Sequence, residues 1–241
     1  MTVALDGIDL VIFDKDGTII EFGSMWSGWA VTLGAALRVA TGLPVEGPLY
    51  GMLGYDAATG IVLPGGGLAA TPMARLRERT RDVLVALGLG EAEAERALGA
   101  AWHAPDPVAL ARPLGDVRGL FGWLRDGGCR VALATSDDRD PTERTLAALG
   151  LADAIDASVC ADDGVPVKPA PEMVLHLCAI LGTAPERTAV VGDAPADLRM
   201  ARAAGAGLVI GVLTGVGARG DLEPLADAVI ASVEQLRTTG V

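Results

Sequence analysis

Short runs of apolar residues recur along this chain, separated by longer segments in which apolar residues return every three or four positions. Continuous apolar runs predict strands that are buried on both faces, and the longer spacing predicts amphipathic helices. Alternation of the two predicts a parallel sheet covered by helices. The predicted strands are residues 10–13, 130–135, 154–160, 188–191, 208–212 and 228–230. The predicted helices between them are residues 117–125, 142–149, 171–181 and 196–204.

One segment, residues 21–112, departs from this alternation. Its apolar spacing is helical, with helices predicted at 27–41, 72–87 and 91–102 and no buried strand. We therefore expect an α/β protein with a Rossmann-like parallel-sheet core, residues 1–20 and 113–241, and an inserted all-helical cap domain, residues 21–112. Because the insertion would emerge beside the end of the first strand, it can act as a lid.

The composition limits the classes of partner. A chain of 241 residues with 51% hydrophobic residues and a mean hydropathy of +0.40 can build a large core. Its net charge of −12 argues against nucleic acid as the main partner, because phosphate contacts need clustered Lys and Arg. A small anionic substrate needs only one local positive site. No apolar run is long enough for a transmembrane helix, so we expect no membrane partner, and no oligomeric state is predicted.

The three cysteines, Cys129, Cys160 and Cys178, are an odd number without close spacing. This pattern fits neither a disulfide framework nor a cysteine zinc site. We expect each to be a small buried apolar residue in a reducing compartment. The first residues also lack the basic and apolar regions of a signal peptide, so a cytoplasmic location is expected.

The first predicted strand ends in two carboxylates, Asp14 and Asp16, and Gly17 then allows a turn. The carboxyl ends of strands are where parallel sheets usually place their chemistry. Period-two alternation would point both carboxylates to one side and Lys15 away from them. A nucleophilic carboxylate beside one that donates or accepts a proton forms a hydrolytic pair. The alternative is an acidic turn at the end of a structural strand.

Two later segments carry groups that can hold a phosphate. Thr135 and Ser136 end the second strand, where a hydroxyl and free backbone N–H groups can bind a phosphoryl oxygen. The alternative for this pair is an N-cap for the helix that follows. Lys168 lies among three prolines within six residues, a rigid setting that a solvent-facing lysine does not need. The alternative for Lys168 is an ordinary surface loop.

Asp193 ends another predicted strand, as Asp14 does, and Asp197 follows at the start of a helix. Asp197 either joins the cluster or caps that helix. Two like charges about 4 Å apart repel by about 4 kcal/mol at an effective dielectric of roughly 20. The three carboxylates therefore stay ionised together only around a cation. Carboxylate oxygens, a phosphate and water suit Mg²⁺, and zinc is disfavoured because no His or Cys is placed among these acids.

Taken in order, four segments resemble the motifs of the haloacid dehalogenase superfamily; they are Asp14-Lys15-Asp16-Gly17-Thr18, Thr135, Lys168, and Gly192-Asp193 with Asp197. The resemblance covers residues 1–20 and 113–235, and the insertion lies where one cap class of that superfamily has its cap. Residues 134–137, 168–171 and 192–193 are similar to the phosphoglycolate phosphatase-like branch. The second carboxylate, Asp16, is a feature of the phosphatases that the dehalogenases of the superfamily lack.

The resemblance implies a role for each of these residues. Asp14 is implied to attack phosphorus and form an aspartyl-phosphate, while Asp16 protonates the leaving oxygen and then activates water. The phosphoryl ligands that the resemblance implies are Thr135, the Ser136 N–H and Lys168. The Mg²⁺ ligands that it implies are Asp14, the Asp16 main-chain carbonyl and Asp193, with Asp197 acting behind them or through water.

We therefore expect a Mg²⁺-dependent phosphatase that hydrolyses a small soluble phosphomonoester through an aspartyl-phosphate, with phosphoglycolate as one candidate. Two alternatives stay open. A phosphosugar mutase of the same superfamily would form the same intermediate and return the phosphate to its substrate. A non-catalytic phosphate-binding module would keep the fold without turnover.

Overall fold

The computed structural model of the chain describes residues 3–63, 66–103 and 105–238. The chain divides into two compact units. The first, called the sheet unit here, combines Met1–Phe22 with Pro107–Val241, and the second, called the inserted unit, is Gly23–Asp106. The sequence-based division into a catalytic core and a cap at residues 21–112 stays a prediction about the roles of these units.

Strands and helices alternate along most of the sheet unit. The described strands are β1 Leu10–Phe13, β2 Tyr55–Asp56, β3 Ile61–Val62, β4 Arg130–Ala134, β5 Ala157–Val159, β6 Thr188–Gly192, β7 Leu208–Val212 and β8 Ala228–Ile230. The described α-helices are α1 Phe22–Thr41, α2 Glu46–Leu53, α3 Gly67–Ala70, α4 Met73–Ala86, α5 Glu91–Ala101, α6 Pro107–Leu110, α7 Val117–Asp126, α8 Arg139–Ala148, α9 Glu172–Leu181, α10 Pro195–Ala204 and α11 Arg219–Leu222. Three 3₁₀ turns lie at Ala152–Ala154, Pro185–Arg187 and Val233–Thr238.

The strands of the sheet unit form one parallel sheet in the order β5-β4-β1-β6-β7-β8. In this sheet β1 is central, and Phe13 at its end pairs with Leu133 of β4 on one side and Val191 of β6 on the other. Because the three strands are parallel and in register, the segments that follow them emerge at the same edge. The register therefore brings together the residues that follow β1, β4 and β6.

Both faces of the sheet are covered by helices. Leu10 and Ile12 belong to a buried cluster with residues of α9 and α10. Phe13 points to the other face and packs against Phe121 of α7, with ring centroids 5.1 Å apart. Burial on both faces explains why β1 is a continuous apolar run in the sequence. The predicted fold class, an α/β protein with a Rossmann-like parallel core, is confirmed.

The chain leaves the sheet unit and returns to it through neighbouring backbone segments. The Glu21 N–H donates to the Arg112 carbonyl at 2.8 Å, and the Leu114 N–H donates to the Ile19 carbonyl at 2.9 Å. These hydrogen bonds close the sheet unit at the point of insertion. All four residues belong to the sheet unit, so the position of the segment after β1 is fixed by bonds within that unit.

The inserted unit is built mainly of helices α1 to α5. Trp29 contacts Trp26 and Trp102 edge to face, with ring centroids 6.0 and 5.3 Å apart. The Trp29 indole N–H also donates to the His103 carbonyl at 2.6 Å. Trp26 and Trp29 are buried. The tryptophans therefore form part of the interior of this unit.

Several elements differ from the sequence-based predictions. The all-helical insertion needs one amendment, because β2 and β3 form a short antiparallel pair within it. The predicted strand at 154–160 is reduced to β5 because Ala152–Ala154 forms a 3₁₀ turn. Helix α1 begins at Phe22 rather than at residue 27, and α8 begins at Arg139 rather than at residue 142. The helices α2, α3, α6 and α11 were not predicted, since each has eight residues or fewer and shows little periodicity.

The three cysteines are free thiols and are buried. Burial raises the pKa of each thiol, and it raises the pKa of Cys160 to about 11. They behave as the small apolar residues that their spacing predicts. Within the described residues, no helix combines the length and the hydropathy needed to cross a membrane.

Two isoleucines test the importance of the central strand. Ile12 in β1 is 0% exposed, whereas Ile180 in α9 is 57% exposed. We expect Ile12→Ala to lower the free energy of unfolding by about 2–5 kcal/mol, because it leaves a cavity in a close-packed core. Ile180→Ala should change the free energy of unfolding by about 0.5 kcal/mol or less. Urea denaturation measures both, and equal losses would contradict the central position of β1.

Candidate active site

The chain turns sharply after β1. The Lys15 carbonyl accepts the N–H groups of Ile19 and Ile20, both at 3.0 Å, and the Gly17 N–H donates to the Ile20 carbonyl at 2.7 Å. Gly17 has a φ of +87°, and a Cβ at this position would lie 2.6 Å from Oδ2 of Asp193. Only glycine fits both the backbone conformation and the space. This close approach brings the turn after β1 against the end of β6.

Lys168 lies between two carboxylates of the sheet unit. Its ammonium is 2.5 Å from Oδ1 of Asp14 and 2.6 Å from Oδ1 of Asp197, and its side chain is 4% exposed. Burial acts to lower the pKa of Lys168, but the charges of Asp14 and Asp197 outweigh burial and raise it. Lys168 therefore stays cationic. The alternative, in which Lys168 is an ordinary residue of a surface loop, is wrong because its side chain is buried and paired.

Asp197 combines the two roles that the sequence left as alternatives. Its Oδ2 accepts the backbone N–H of Ala194 at 3.0 Å, which caps the first turn of α10. Its Oδ1 contacts Lys168. The helix start therefore fixes the carboxylate that faces the lysine.

Three carboxylates meet at the edge of the sheet. Oxygen atoms of Asp14, Asp193 and Asp197 lie within 4.8 Å of one another. Burial raises the pKa of Asp193 well above its usual range, and the nearby Asp14 charge adds to this effect. Burial also raises the pKa of Asp197, although Lys168 opposes it. One ammonium cannot balance three carboxylates, so the group is suited to a cation, and oxygen donors of this kind fit Mg²⁺.

The segment after β7 encloses Asp193. The Val216 N–H donates to Oδ2 of Asp193 at 2.8 Å, and the Thr214 hydroxyl donates to the Gly17 carbonyl at 2.6 Å. A Cβ at Gly215 would overlap the Asp193 carboxylate. None of the residues predicted from the sequence for this site lies in this segment. Its signal is a Thr-Gly-Val-Gly run that begins two residues after the last residue of β7, a composition that leaves backbone N–H groups accessible.

Thr135 follows β4 and is buried, and Ser136 beside it is partly exposed. The Thr135 hydroxyl accepts the N–H of Asp137 at 3.1 Å. The cap position of α8 is occupied by Asp138. The alternative in which Thr135 and Ser136 cap α8 is therefore wrong, while their predicted contact with a phosphoryl group stays a prediction.

Lys15 differs most from the sequence-based expectation. Alternation places it away from the acids, but it is fully buried, and its ammonium lies 2.9 and 2.8 Å from the two oxygens of Asp16. It also lies 2.9 Å from Oδ2 of Asp137. Pairing of β1 ends at Phe13, so the period of two does not extend into the turn. Burial acts to lower the pKa of Lys15, but Asp137 and Asp16 raise it.

The two carboxylates after β1 have different surroundings. Burial raises the pKa of Asp16 to about 7, against the opposing effect of the Lys15 charge. A carboxyl group with a pKa near neutrality can donate a proton in one step and accept one in the next. Asp14 is paired with Lys168 instead. Different environments for neighbouring acids are the usual basis for giving them different tasks.

The chain has 19 basic residues, of which two are lysines, and both are these buried side chains. Each ammonium lies between two aspartates of the sheet unit. An ammonium is a compact point charge with three donors, so it fits between carboxylates where the planar guanidinium of arginine would need more room.

A family model described as haloacid dehalogenase-like hydrolase matches residues 8–205. The chain belongs to this family. The phosphoglycolate phosphatase of Rhodospirillum rubrum is 31% identical over 208 residues, which cover 83% of this chain and 78% of that protein. The phosphoglycolate phosphatase of Aquifex aeolicus is 24% identical over 196 residues, which cover 81% of each chain.

The fold of this haloacid dehalogenase-like hydrolase is also found in a solved structure. A protein from Haemophilus somnus, described as a predicted phosphoglycolate phosphatase, superposes with a TM-score of 0.72 at 20% identity, covering 98% of this chain and 100% of that one. At this identity the likeness supports the fold alone. The predicted superfamily, the resemblance to phosphoglycolate phosphatases and the class of phosphatase are confirmed by the family match and the relatives together.

Gly215 and Gly220 give a matched test of the segment around Asp193. A Cβ at Gly215 would overlap the Asp193 carboxylate, whereas a Cβ at Gly220 in α11 meets no atom within 4 Å. We expect Gly215→Ala to lower the free energy of unfolding by about 1–3 kcal/mol, because the segment must move away from Asp193. Gly220→Ala should change it by about 0.5 kcal/mol or less. Chemical denaturation of the two variants decides the point, and equal stability would contradict the close packing described here.

Proposed function

We propose that this protein is a Mg²⁺-dependent phosphomonoesterase that hydrolyses a small soluble phosphate ester through a phosphorylated Asp14. The proposal is carried by one observation. Asp14 lies in contact with the buried Lys168 and within 4.8 Å of two further carboxylates, so a nucleophile, a fixed cation and oxygen donors for a metal share one site.

The residues of the site fit a magnesium ion. Asp14, Asp193 and the main-chain carbonyl of Asp16 would hold it, and Asp197 would act from behind them. The carboxylates are oxygen donors, which are the ligands that Mg²⁺ prefers. The single positive charge of Lys168 does not balance the negative charges of the buried Asp193 and Asp197. When bound, such an ion neutralises charge on a phosphoryl group during its transfer.

The reaction proceeds in two halves. Asp14 forms a bond to phosphorus while the bond from phosphorus to the ester oxygen breaks, and Asp16 gives its proton to that oxygen. In the second half Asp16 takes a proton from water, whose oxygen bonds to phosphorus and displaces Asp14. Inorganic phosphate leaves, and both carboxyl groups return to their starting states. Thr135, the Ser136 N–H and Lys168 hold the phosphoryl oxygens as negative charge develops.

Phosphoglycolate is the first candidate substrate. Two relatives that share most of their length with this chain are phosphoglycolate phosphatases. The net charge of −12 argues against nucleic acid as the partner, whereas a small phosphorylated metabolite needs only one local positive site. The proposal assigns substrate selection to the inserted unit and places the enzyme in the cytoplasm, in keeping with its three free thiols.

The nucleophile is tested with Asp14→Asn. An amide cannot form the aspartyl-phosphate, so we expect phosphate release from phosphoglycolate to fall by at least about 1,000-fold. Asp126→Asn, at the exposed end of α7, is the matched control and should retain wild-type rates. EDTA should abolish wild-type activity and added Mg²⁺ should restore it. Release of phosphate across a panel of small esters is the measurement.

Reaction in ¹⁸O-labelled water separates hydrolysis from the mutase alternative. A phosphatase incorporates one labelled oxygen into each phosphate released, whereas a mutase returns unlabelled phosphate to its substrate. A folded protein that releases no phosphate from any ester of the panel would contradict the proposal and favour the mutase or the binding module.

Lys168→Ala tests the role of the buried cation. Because Lys168 stabilises charge that grows during phosphoryl transfer, we expect kcat to fall by about 100-fold or more while KM changes only a few-fold. Arg219→Ala removes an exposed cation from α11 and serves as the control. Circular dichroism establishes that both variants are folded. An unchanged kcat for Lys168→Ala would refute the role given to this lysine.

A further inference from the structure

Lys15 connects the turn after β1 to the segment after β4. Its ammonium bonds both oxygens of Asp16 at 2.9 and 2.8 Å and lies 2.9 Å from Oδ2 of Asp137. Asp137 is itself fixed, since its N–H donates to the Thr135 hydroxyl at 3.1 Å and its carbonyl accepts the Ala161 N–H at 2.9 Å. The Lys15 side chain is fully buried, so it is held on all sides.

We propose that Lys15 is a positioning residue, whose ammonium, anchored on Asp137, fixes the Asp16 carboxyl group for proton transfer to the leaving oxygen. The inference rests on the proposed function, because it takes Asp16 as the proton donor. Lys15 acts through Asp16 and has no direct part in bond making.

The contact with both oxygens is the feature that gives Lys15 this role. A lysine that met one oxygen would let the carboxyl group swing about that contact, whereas contacts to both oxygens hold the direction in which the group points. Asp16 is 12% exposed at its side chain, so it remains open on one side while Lys15 holds the other. Holding a reacting group in one orientation before the reaction is a large source of rate enhancement.

The arrangement around Lys168 repeats this pattern on the other side of β1. Lys168 bridges Asp14 to Asp197, which lies at the start of α10 after β6. Lys15 bridges Asp16 to Asp137, which lies after β4. Each carboxylate of the first motif thus has its own lysine, and each lysine is anchored on a different neighbour of β1. This pairing separates the task of Lys15 from that of Lys168.

The test compares two substrates that differ in their need for a proton. The alcohol of phosphoglycolate leaves poorly without protonation, whereas p-nitrophenol leaves readily as its anion. We expect Lys15→Met to lower kcat/KM by about 100-fold for phosphoglycolate, the range of a general acid, and by less than about fivefold for p-nitrophenyl phosphate. Because kcat/KM covers only the steps up to departure of the leaving group, later hydrolysis of the aspartyl-phosphate does not enter. Equal losses for the two substrates would overturn the inference.

A second variant keeps the test decisive if loss of one buried charge unfolds the protein. Lys15→Met combined with Asp137→Asn removes one positive and one negative charge together, so the charge of the buried group is unchanged. It should show the same difference between the two substrates. Asp137→Asn alone should show a smaller difference of the same sign, because the anchor is weakened while the ammonium remains. No difference between the substrates in either variant would refute the positioning role.

A double-mutant cycle with Asp16→Asn identifies the residue through which Lys15 acts. If Lys15 works by orienting Asp16, then Lys15→Met should cause no further loss of kcat/KM for phosphoglycolate once Asp16 is replaced. Fully additive losses would show that Lys15 acts elsewhere and would overturn the inference alone. Unchanged hydrolysis by Asp16→Asn itself would overturn the proposed function and the inference together, so the two failures are distinguishable.

Discussion

Mutual repulsion among buried carboxylates governs the architecture of the sheet edge. Five aspartates meet there, of which Asp193 and Asp197 are almost wholly buried, and two lysines accompany them. A buried charge without a partner is strongly unfavourable. Each aspartate is accordingly held by an ammonium, by backbone N–H groups or by both, and the positions of the surrounding segments follow from that requirement. The remaining negative charge is what makes the site suited to a metal ion and a phosphate.

Backbone N–H groups, as well as lysine side chains, hold these carboxylates. The N–H groups of Val216 and Ala194 donate to Asp193 and Asp197, and these bonds require segments that approach the carboxylates closely. Gly17 makes such an approach possible next to Asp193, because any side chain there would overlap it. The parallel register of β1 with its neighbours then brings the carboxylates to one edge. Packing of the sheet and chemistry of the site are thus parts of one arrangement.

The sequence was sufficient to predict the features that depend on strand ends and residue type. Asp14 and Asp193 each follow an apolar strand, and the ends of parallel strands converge, so their proximity follows from the fold class. Lys168 was distinguishable by its proline-rich setting. The sheet itself was predictable because strands buried on both faces are continuous apolar runs. These inferences need no knowledge of which side-chain atoms touch.

The features that were not predicted depend on contacts without a periodic signal. The direction of Lys15 is decided in a turn, where alternation no longer applies, and its bond to Asp137 requires the register between β1 and β4. The segment around Gly215 acts through backbone N–H groups, which every residue but proline possesses. The short pair β2 and β3 has two residues in each strand, too few to show a pattern. In each case the deciding contacts leave no periodic pattern in the sequence.

Burial of both lysines leaves the surface of this protein with arginine as its cationic residue. Amine-acylating reagents require an exposed, uncharged amine, and the two ammonium groups are enclosed and held in their charged form by aspartates. In the native state both lysines are therefore protected, and the reagent reaches them only when the sheet edge opens. The sequence has no third lysine, so the rate of lysine acylation measures opening of the site itself.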